Sequence, residues 1–441
     1  MPPAPLRPRV HVVLVPGFAG FDALGQLEYY AGVTPLLQPW QAAHPDAPPV
    51  VLHYFDNLPT AGVATRAARL LRFLARRHAR GEIQDGERIA LIGHSTGGLD
   101  IRRLLRDLAA GAGCPVDGDR QDAVRVDAAA LLAHLERVVF LSVPQRGTPL
   151  ADLVRRLPLA WAIAQAQLWV KAGRLHLAND LEEAAARWLG RGARADLVLA
   201  AADAISEMDA AAVAGDPSRR AEAHEAAAAL DLYLTLIGSD LAAIEDLTAV
   251  PGPASASPAH ASEPARAAER QAWAAHGLRT RSYATRGRRP FTFGPGEAVP
   301  PWDLLRPSTS PWARLAAGAA DETDLVYRCG YRACAGAPDA APPIPEPLRA
   351  TSFEDGAQVA LEPWDGDGIV GTASMLWPDG PETRLVAADH GDVIGHFRLV
   401  EEPEGPPLRR YHTYDLLRSG SGFTADAFRR LWGEVLDFCV S

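Results

Sequence analysis

One segment constrains the fold of this 441-residue chain more than any other. Residues 88–98 run as an apolar strand into a Gly-x-Ser-x-Gly motif, and the residues after it have helical spacing. This context is that of a nucleophile elbow, a sharp turn that projects a serine hydroxyl, here that of Ser95, from the sheet edge. Gly93 and Gly97 are required because a Cβ there would collide with the neighbouring strand and helix. An ordinary glycine-rich turn is the alternative that this segment alone leaves open.

The hydrophobic pattern on either side of the elbow predicts a parallel α/β sheet. Continuous apolar runs, typical of strands covered on both faces, alternate with segments of helical periodicity. The strands are predicted over 11–15, 50–54, 89–92, 138–143 and 278–284, and the helices over 60–80, behind Ser95, and from about 424.

The sequence divides into two core segments and an insertion. Residues 1–150 and 277–441 are predicted to form the two halves of one α/β core. Residues 151–276 are rich in alanine and carry Trp161, Trp169 and Trp188, and they include a low-complexity loop over 251–266. This pattern predicts a helical lid or cap, and extra core helices are the alternative.

Charge and cysteine usage exclude several classes of partner. The formal net charge of -10 argues against a nucleic-acid partner. No apolar run is long enough for a membrane span, so contact with lipid is expected to be transient and interfacial. No signal peptide is visible, which predicts a cytoplasmic protein, and a secreted protein is the alternative if this sequence lacks its signal. Cys329 and Cys334 are close enough in sequence for a disulfide, and their pattern is not that of a metal site.

A catalytic serine needs a general base that is itself oriented by a carboxylate, in the chain order Ser, Asp or Glu, His. Residues 364–372 present Asp365 and Asp367 in a glycine-rich turn, and residues 388–396 present His390 beside a flexible glycine. The order of these segments predicts a triad with Ser95. Three histidines are weaker bases because no carboxylate turn precedes them at a comparable spacing: His53, His396 and His412.

An oxyanion hole requires two backbone N–H donors. One is expected from Thr96, the residue after the serine. The loop after the first strand supplies the second, and Gly17 and Phe18 follow Val15 directly. A plain strand-terminating turn is the alternative for this loop.

Together these segments resemble the bacterial triacylglycerol lipases of the α/β-hydrolase fold, those related to the Pseudomonas, Burkholderia and Staphylococcus enzymes. The similarity lies in residues 15–22 with 29–33, 92–98, 142–152, 367–372 and 389–392. It implies Ser95 as nucleophile, Asp367 as acid and His390 as base, with the amides of Phe18 and Thr96 as oxyanion donors.

The resemblance also implies a metal position. Asp392 falls where the family has a calcium-ligating aspartate, and calcium would need a second carboxylate from upstream. The sequence identifies no such partner, so structural calcium is a hypothesis. A triad of this kind is expected to require no cofactor. The chain departs from the family at Pro16, where the oxyanion loop usually has histidine.

These features predict a serine carboxylic-ester hydrolase for esters with an apolar acyl chain, such as lipid-like or polyester substrates. An intracellular polyhydroxyalkanoate or polyester depolymerase, or a thioesterase, would share the same triad. A non-catalytic α/β-hydrolase scaffold that binds an apolar ligand or partner is the alternative from another class.

Overall fold

The computed structural model describes residues 8–20, 23–24, 27–111, 128–156, 232–252, 255–289, 325–335, 344, 350–352, 358–377, 382–397, 415–417 and 419–441. At its centre lies a sheet of six parallel strands, β1 (Val10–Val15), β4 (Val50–Tyr54), β5 (Arg88–His94), β6 (Leu135–Leu141), β7 (Arg279–Thr285) and β10 (Thr383–Val386). Their order across the sheet is β10-β7-β6-β5-β1-β4. Two short antiparallel pairs lie outside it: β2 (Ala23–Leu24) with β3 (Leu27–Glu28), and β8 (Ala350–Ser352) with β9 (Gln358–Ala360).

Helices cover both faces of the sheet. They are α1 (Val33–Ala43), α2 (Val63–Ala79), α3 (Thr96–Ala109), α4 (Ala128–His134), α5 (Pro149–Val154), α6 (Ala242–Leu247), α7 (Glu263–Ala275), α8 (Leu325–Ala335) and α9 (Ala425–Val440), with a further helical segment over 232–239. Helices α2, α3 and α7 pack on one face, and α1 and α9 on the other. The strand order and the turn after β5 are those of the α/β-hydrolase fold, which confirms the predicted fold class.

The two-sided burial explains why the strands read as continuous apolar runs. All six residues of β1 are buried, and successive side chains enter opposite clusters. Val13 and Val15 pack against α2 and α3, whereas Val12 and Leu14 pack on the side of α1 and α9.

The structure differs from the sequence-based predictions at two points. The strand predicted over 138–143 runs over Leu135–Leu141, because Ser142 takes a φ of 50° that ends the extended conformation. Cys334 is a free, buried thiol within the same helix as Cys329, so the disulfide between them is not formed.

Part of the predicted lid lies outside the described residues, among them Trp161, Trp169 and Trp188. The division of the chain into core and lid therefore stays a prediction. Among the helices that the structure does describe, none has the length and apolar character that a membrane span requires.

Candidate active site

Ser95 occupies the sharp turn between β5 and α3. Its backbone has φ 53° and ψ -130°, a region that non-glycine residues avoid and that costs of the order of 1–3 kcal/mol. The turn is held by hydrogen bonds from Ser95 N to Leu141 O at 2.9 Å and from Gly98 N to Ser95 O at 3.0 Å. The serine is thus fixed at the carboxyl edge of the sheet, beside the end of β6.

The distances around Ser95 leave no room for a side chain at Gly93 or Gly97. A Cβ on Gly93 would lie 2.6 Å from Gly98 N, and a Cβ on Gly97 would lie 2.3 Å from Val15 O. Both neighbours are backbone atoms that a side-chain rotation cannot move away.

The structure brings Asp367 and His390 together beside this turn. Asp367 Oδ2 lies 2.7 Å from His390 Nδ1, and Asp367 Oδ1 accepts the N–H groups of Ile369 at 3.0 Å and Val370 at 2.8 Å. The carboxylate is fully buried, whereas the His390 side chain is 12 % exposed. The His390 ring packs against that of His94, the residue before Ser95, with 4.6 Å between the ring centroids.

Asp365, the other carboxylate of the same turn, has different partners. It forms a two-pronged ion pair with Arg289, with both nitrogen–oxygen distances 2.7 Å, and it accepts the Tyr331 hydroxyl and the Glu362 N–H. These contacts hold the turn that presents Asp367 and leave Asp365 away from the histidine.

The loop after β1 leaves one N–H group open. Gly17 N donates to Tyr29 Oη at 2.8 Å, Ala19 N to Pro59 O at 2.8 Å and Gly20 N to Gly17 O at 3.1 Å. Within the described part of the chain, no acceptor is paired with the N–H of Phe18, nor with that of Thr96 at the start of α3. These are the two donors that the sequence assigns to an oxyanion hole.

The carbonyl groups of this loop are held by residues that the sequence analysis missed. Arg66, fully buried in α2, donates to Pro16 O at 2.7 Å and to Gly17 O at 3.1 Å, and it pairs with the buried Asp100. Tyr233 Oη, in the segment 232–239, donates to Ala19 O at 2.5 Å. A charged residue on the apolar face of α2 was the available signal for Arg66.

Two hydroxyl groups in series support the carboxylate of Asp367. Thr285 Oγ1, at the end of β7, donates to Asp367 Oδ2 at 2.7 Å, and Ser142 Oγ lies 2.8 Å from Thr285 Oγ1. All three residues are buried. Sequence spacing offers no signal for this contact, because 82 residues separate Thr285 from Asp367.

The loop that carries His390 is folded by two buried aspartates. Asp392 Oδ2 accepts the Asp389 N–H and the Ser421 hydroxyl, each at 2.7 Å. Burial raises the pKa of Asp389 to about 7 and raises that of Asp392 well above its usual value.

Two carboxyl groups thus lie in one loop, but the described residues contain no group of three or more His, Cys, Asp or Glu side chains that could hold a metal ion. Calcium at Asp392 therefore stays a prediction.

The other histidines considered as bases lie elsewhere. His53 in β4 contacts His11, with 2.8 Å between Nε2 and Nδ1, and His11 in turn contacts Glu87. His396 is buried in the loop after His390, and burial lowers its pKa to about 4. His412 lies outside the described residues.

Comparison with known proteins gives structural similarities alone. No protein-family model and no curated protein matches the sequence. The structure is similar to a Staphylococcus hyicus lipase (12% identity, 99% of this chain and 97% of that one, TM-score 0.39). It is also similar to lipase 1 from Pelosinus fermentans (13% identity, 92% and 96%, TM-score 0.37).

A Bacillus licheniformis lipase, BlEst2, matches over 35% of this chain at 19% identity and a TM-score of 0.23. The match spans 48% of the length of that enzyme. Any assignment of chemistry therefore rests on the side chains of the site itself.

Proposed function

We propose that this chain is a serine hydrolase of carboxylic esters with an apolar acyl group. The observation that carries the proposal is the strained Ser95 turn at the sheet edge where His390 is held by Asp367 at 2.7 Å. A serine in a strained turn beside a carboxylate-oriented imidazole is the arrangement of nucleophilic acyl transfer.

In the proposed reaction, His390 Nε2 takes the hydroxyl proton as Ser95 Oγ attacks the ester carbonyl. Asp367 accepts the Nδ1–H of His390 and stabilises the imidazolium that forms. The N–H groups of Phe18 and Thr96 donate to the oxyanion of the tetrahedral intermediate. His390 then protonates the departing alcohol, which leaves the acyl group on Ser95.

The second half of the reaction uses the same groups. His390 removes a proton from water, and the hydroxide attacks the acyl-enzyme carbonyl while Phe18 and Thr96 again hold the oxyanion. Collapse of this intermediate returns the proton to Ser95 and releases the carboxylic acid.

The apolar character of the substrate is proposed from the sequence of the insertion and from the surroundings of Phe18. The half-buried Phe18 side chain packs against the core cluster on the α2 and α3 face of the sheet. The sequence of the region 150–250, with Trp161, Trp169 and Trp188, would add an apolar acyl pocket and lid. Lipid-like esters and polyesters fit such a pocket better than small polar esters.

A series of chromogenic esters from acetyl to oleoyl, together with a polyester film, tests the assignment. We expect turnover by the wild-type protein that rises from acetyl to longer chains and is lost in Ser95→Ala. A fluorophosphonate should label the wild type on the peptide that contains Ser95. Ser239→Ala is the control, since Ser239 is an exposed serine whose hydroxyl donates to Leu236 O at 2.8 Å within its own helical segment.

The possible outcomes distinguish the proposed ester hydrolase from its alternatives. Turnover retained in Ser95→Ala would refute the role of this serine. A folded wild type that neither turns over esters nor reacts with the fluorophosphonate would indicate a non-catalytic scaffold. Release of acid from the polyester film or from thioesters, without hydrolysis of oxygen esters of fatty acids, would indicate the depolymerase or thioesterase alternative.

A further inference from the structure

A chain of buried hydrogen bonds crosses the candidate site behind Ser95. Gly17 N donates to Tyr29 Oη at 2.8 Å, Tyr29 Oη lies 2.7 Å from His94 Nδ1, and His94 Nε2 lies 3.0 Å from His390 O. Tyr29 is 9% exposed and His94 is 2% exposed. The chain therefore joins the oxyanion loop, the elbow and the histidine loop, which lie far apart in the sequence.

The donors in this chain follow from chemistry. A carbonyl oxygen can only accept, so His94 must carry its proton on Nε2 to bond His390 O. Burial lowers the pKa of His94 well below its usual value, so the ring is neutral and Nδ1 accepts. Tyr29 must then donate to Nδ1, and its oxygen accepts the N–H of Gly17. Each group is satisfied in one arrangement only.

The surroundings leave little room for another arrangement. A Cβ on Gly17 would lie 2.6 Å from Ser95 Cβ and 2.6 Å from Tyr29 Oη, so the oxyanion loop touches both residues. The Phe18 N–H follows Gly17 directly and is fixed by the same contact. On the other side, the His94 ring packs against the ring of His390 and bonds its carbonyl group.

We propose that Tyr29 and His94 are positioning residues, which hold the Phe18 amide and the His390 imidazole in register with Ser95. The inference rests on the proposed ester hydrolysis, because it assigns these residues a part in that reaction. Neither side chain is required to touch the substrate. Their effect is on the geometry of the transition state and therefore on kcat more than on KM.

Tyr29→Phe removes the central hydroxyl and leaves Gly17 N and His94 Nδ1 without their partner. We expect kcat to fall about 10- to 100-fold, since displacement of catalytic groups by about 1 Å has effects of that size. KM should stay within about twofold of the wild-type value. Inactivation by a fluorophosphonate, which uses the same oxyanion donors, should slow by a similar factor.

Tyr30→Phe is the matched control. Tyr30 is the next residue, is also buried, and its hydroxyl donates to Val15 O at 2.7 Å, inside the sheet rather than on the oxyanion loop. The Tyr30→Phe variant also lacks one buried hydroxyl hydrogen bond, so its melting temperature measures what that loss alone costs in stability. We expect the two variants to lose similar melting temperature, but only Tyr29→Phe to lose kcat by more than tenfold.

His94→Gln gives a second test: alone it should also lower kcat by more than tenfold, and it can then be combined with the Tyr29 variant. The glutamine amide can still donate to His390 O, but it removes the acceptor of Tyr29. If these hydrogen bonds act as one unit, the kcat of the double variant Tyr29→Phe with His94→Gln should be no lower than that of the worse single variant.

Three results would overturn the inference: a Tyr29→Phe kcat within twofold of wild type, equal kcat losses in the tyrosine variants, or multiplicative losses in the double variant. A wild type without esterase activity would refute the proposed function instead, so the two failures are distinguishable.

Discussion

The two neighbouring aspartates of the 364–372 turn provide the sharpest test of the site, because both are fully buried and only Asp367 contacts the histidine. In Asp367→Asn, the side-chain oxygen can still accept the N–H groups of Ile369 and Val370. The amide NH₂ then replaces the oxygen that faces His390. Because an amide nitrogen donates, the imidazole must carry its proton on Nε2, and it can no longer accept the proton of Ser95.

The expected size of this effect follows from the tautomer. In Ser-His-Asp enzymes such a replacement lowers kcat about 10⁴-fold, or about 5.4 kcal/mol of transition-state stabilisation at about 1.36 kcal/mol per factor of ten. The free energy of unfolding should change little, because the amide has nearly the shape of the carboxylate and keeps the bonds to the backbone.

Asp365→Asn should have the opposite profile. It breaks the ion pair with Arg289, and loss of one partner of a buried pair costs about 3–5 kcal/mol. Arg289 is 35% exposed and can be hydrated again, so we expect the smaller loss of about 1–3 kcal/mol. The kcat of the folded protein should stay within about tenfold of wild type, because His390 keeps its carboxylate.

Both variants are measured in one pair of assays: kcat on a chromogenic ester, normalised by active-site titration, and unfolding in urea. The reasoning predicts that Asp367→Asn is inactive and stable, and that Asp365→Asn is active and destabilised. If Asp365→Asn loses more kcat than Asp367→Asn, the catalytic acid has been assigned to the wrong residue.

Other features of the structure give further tests. Gly97→Ala should lower the melting temperature by several degrees and abolish turnover, since the added Cβ meets a β1 carbonyl at 2.3 Å, whereas Gly252→Ala, with open space around it, should behave as wild type. Thr285→Val should lower kcat about tenfold, with KM unchanged, and an unaltered kcat would contradict its support of the carboxylate. Burial is the main reason why the pKa of His53 falls to about 4. The folded protein therefore holds this side chain neutral at neutral pH, and protonation at lower pH favours unfolding. Unfolding titrations should therefore show about 1–2 kcal/mol lost as pH falls from about 6.5 to 4, less than the full shift because solvent screens the site, and His53→Gln should flatten this slope. If calcium binds beside Asp392, EDTA should lower the melting temperature and calcium restore it, and an unchanged melting temperature would exclude calcium there.

The strand positions and the elbow could be predicted because they depend on local sequence. The apolar run of β1 and the glycines around Ser95 reflect contacts with residues that any parallel sheet places beside them. The strand β10 was missed because it is short and carries the exposed Arg384 in its middle, so it resembles neither a buried nor an alternating strand.

The choice between Asp365 and Asp367 shows where such prediction ends. Both stand in one glycine-rich turn, and the residue pattern alone treats them alike. The structure separates them by their partners, Arg289 for one and His390 for the other. Arg289 lies 76 residues before Asp365, so this distinction is a product of tertiary structure.

The same limit explains the arginine and tyrosines around the oxyanion loop. Arg66, Tyr29 and Tyr233 bond backbone groups of the loop after β1 that lie between 12 and 214 residues away, and backbone partners leave no mark in the sequence. The backbone N–H groups that remain without a partner beside Ser95 are informative. Buried backbone groups are nearly always paired. In the loop after β1 the other described N–H groups are paired and that of Phe18 is open, which supports the proposed role of this N–H as an oxyanion donor. In the proposed reaction, the open N–H groups of Phe18 and Thr96 would mark the position of the substrate oxygen, and the pairing of the neighbouring groups would keep that position rigid.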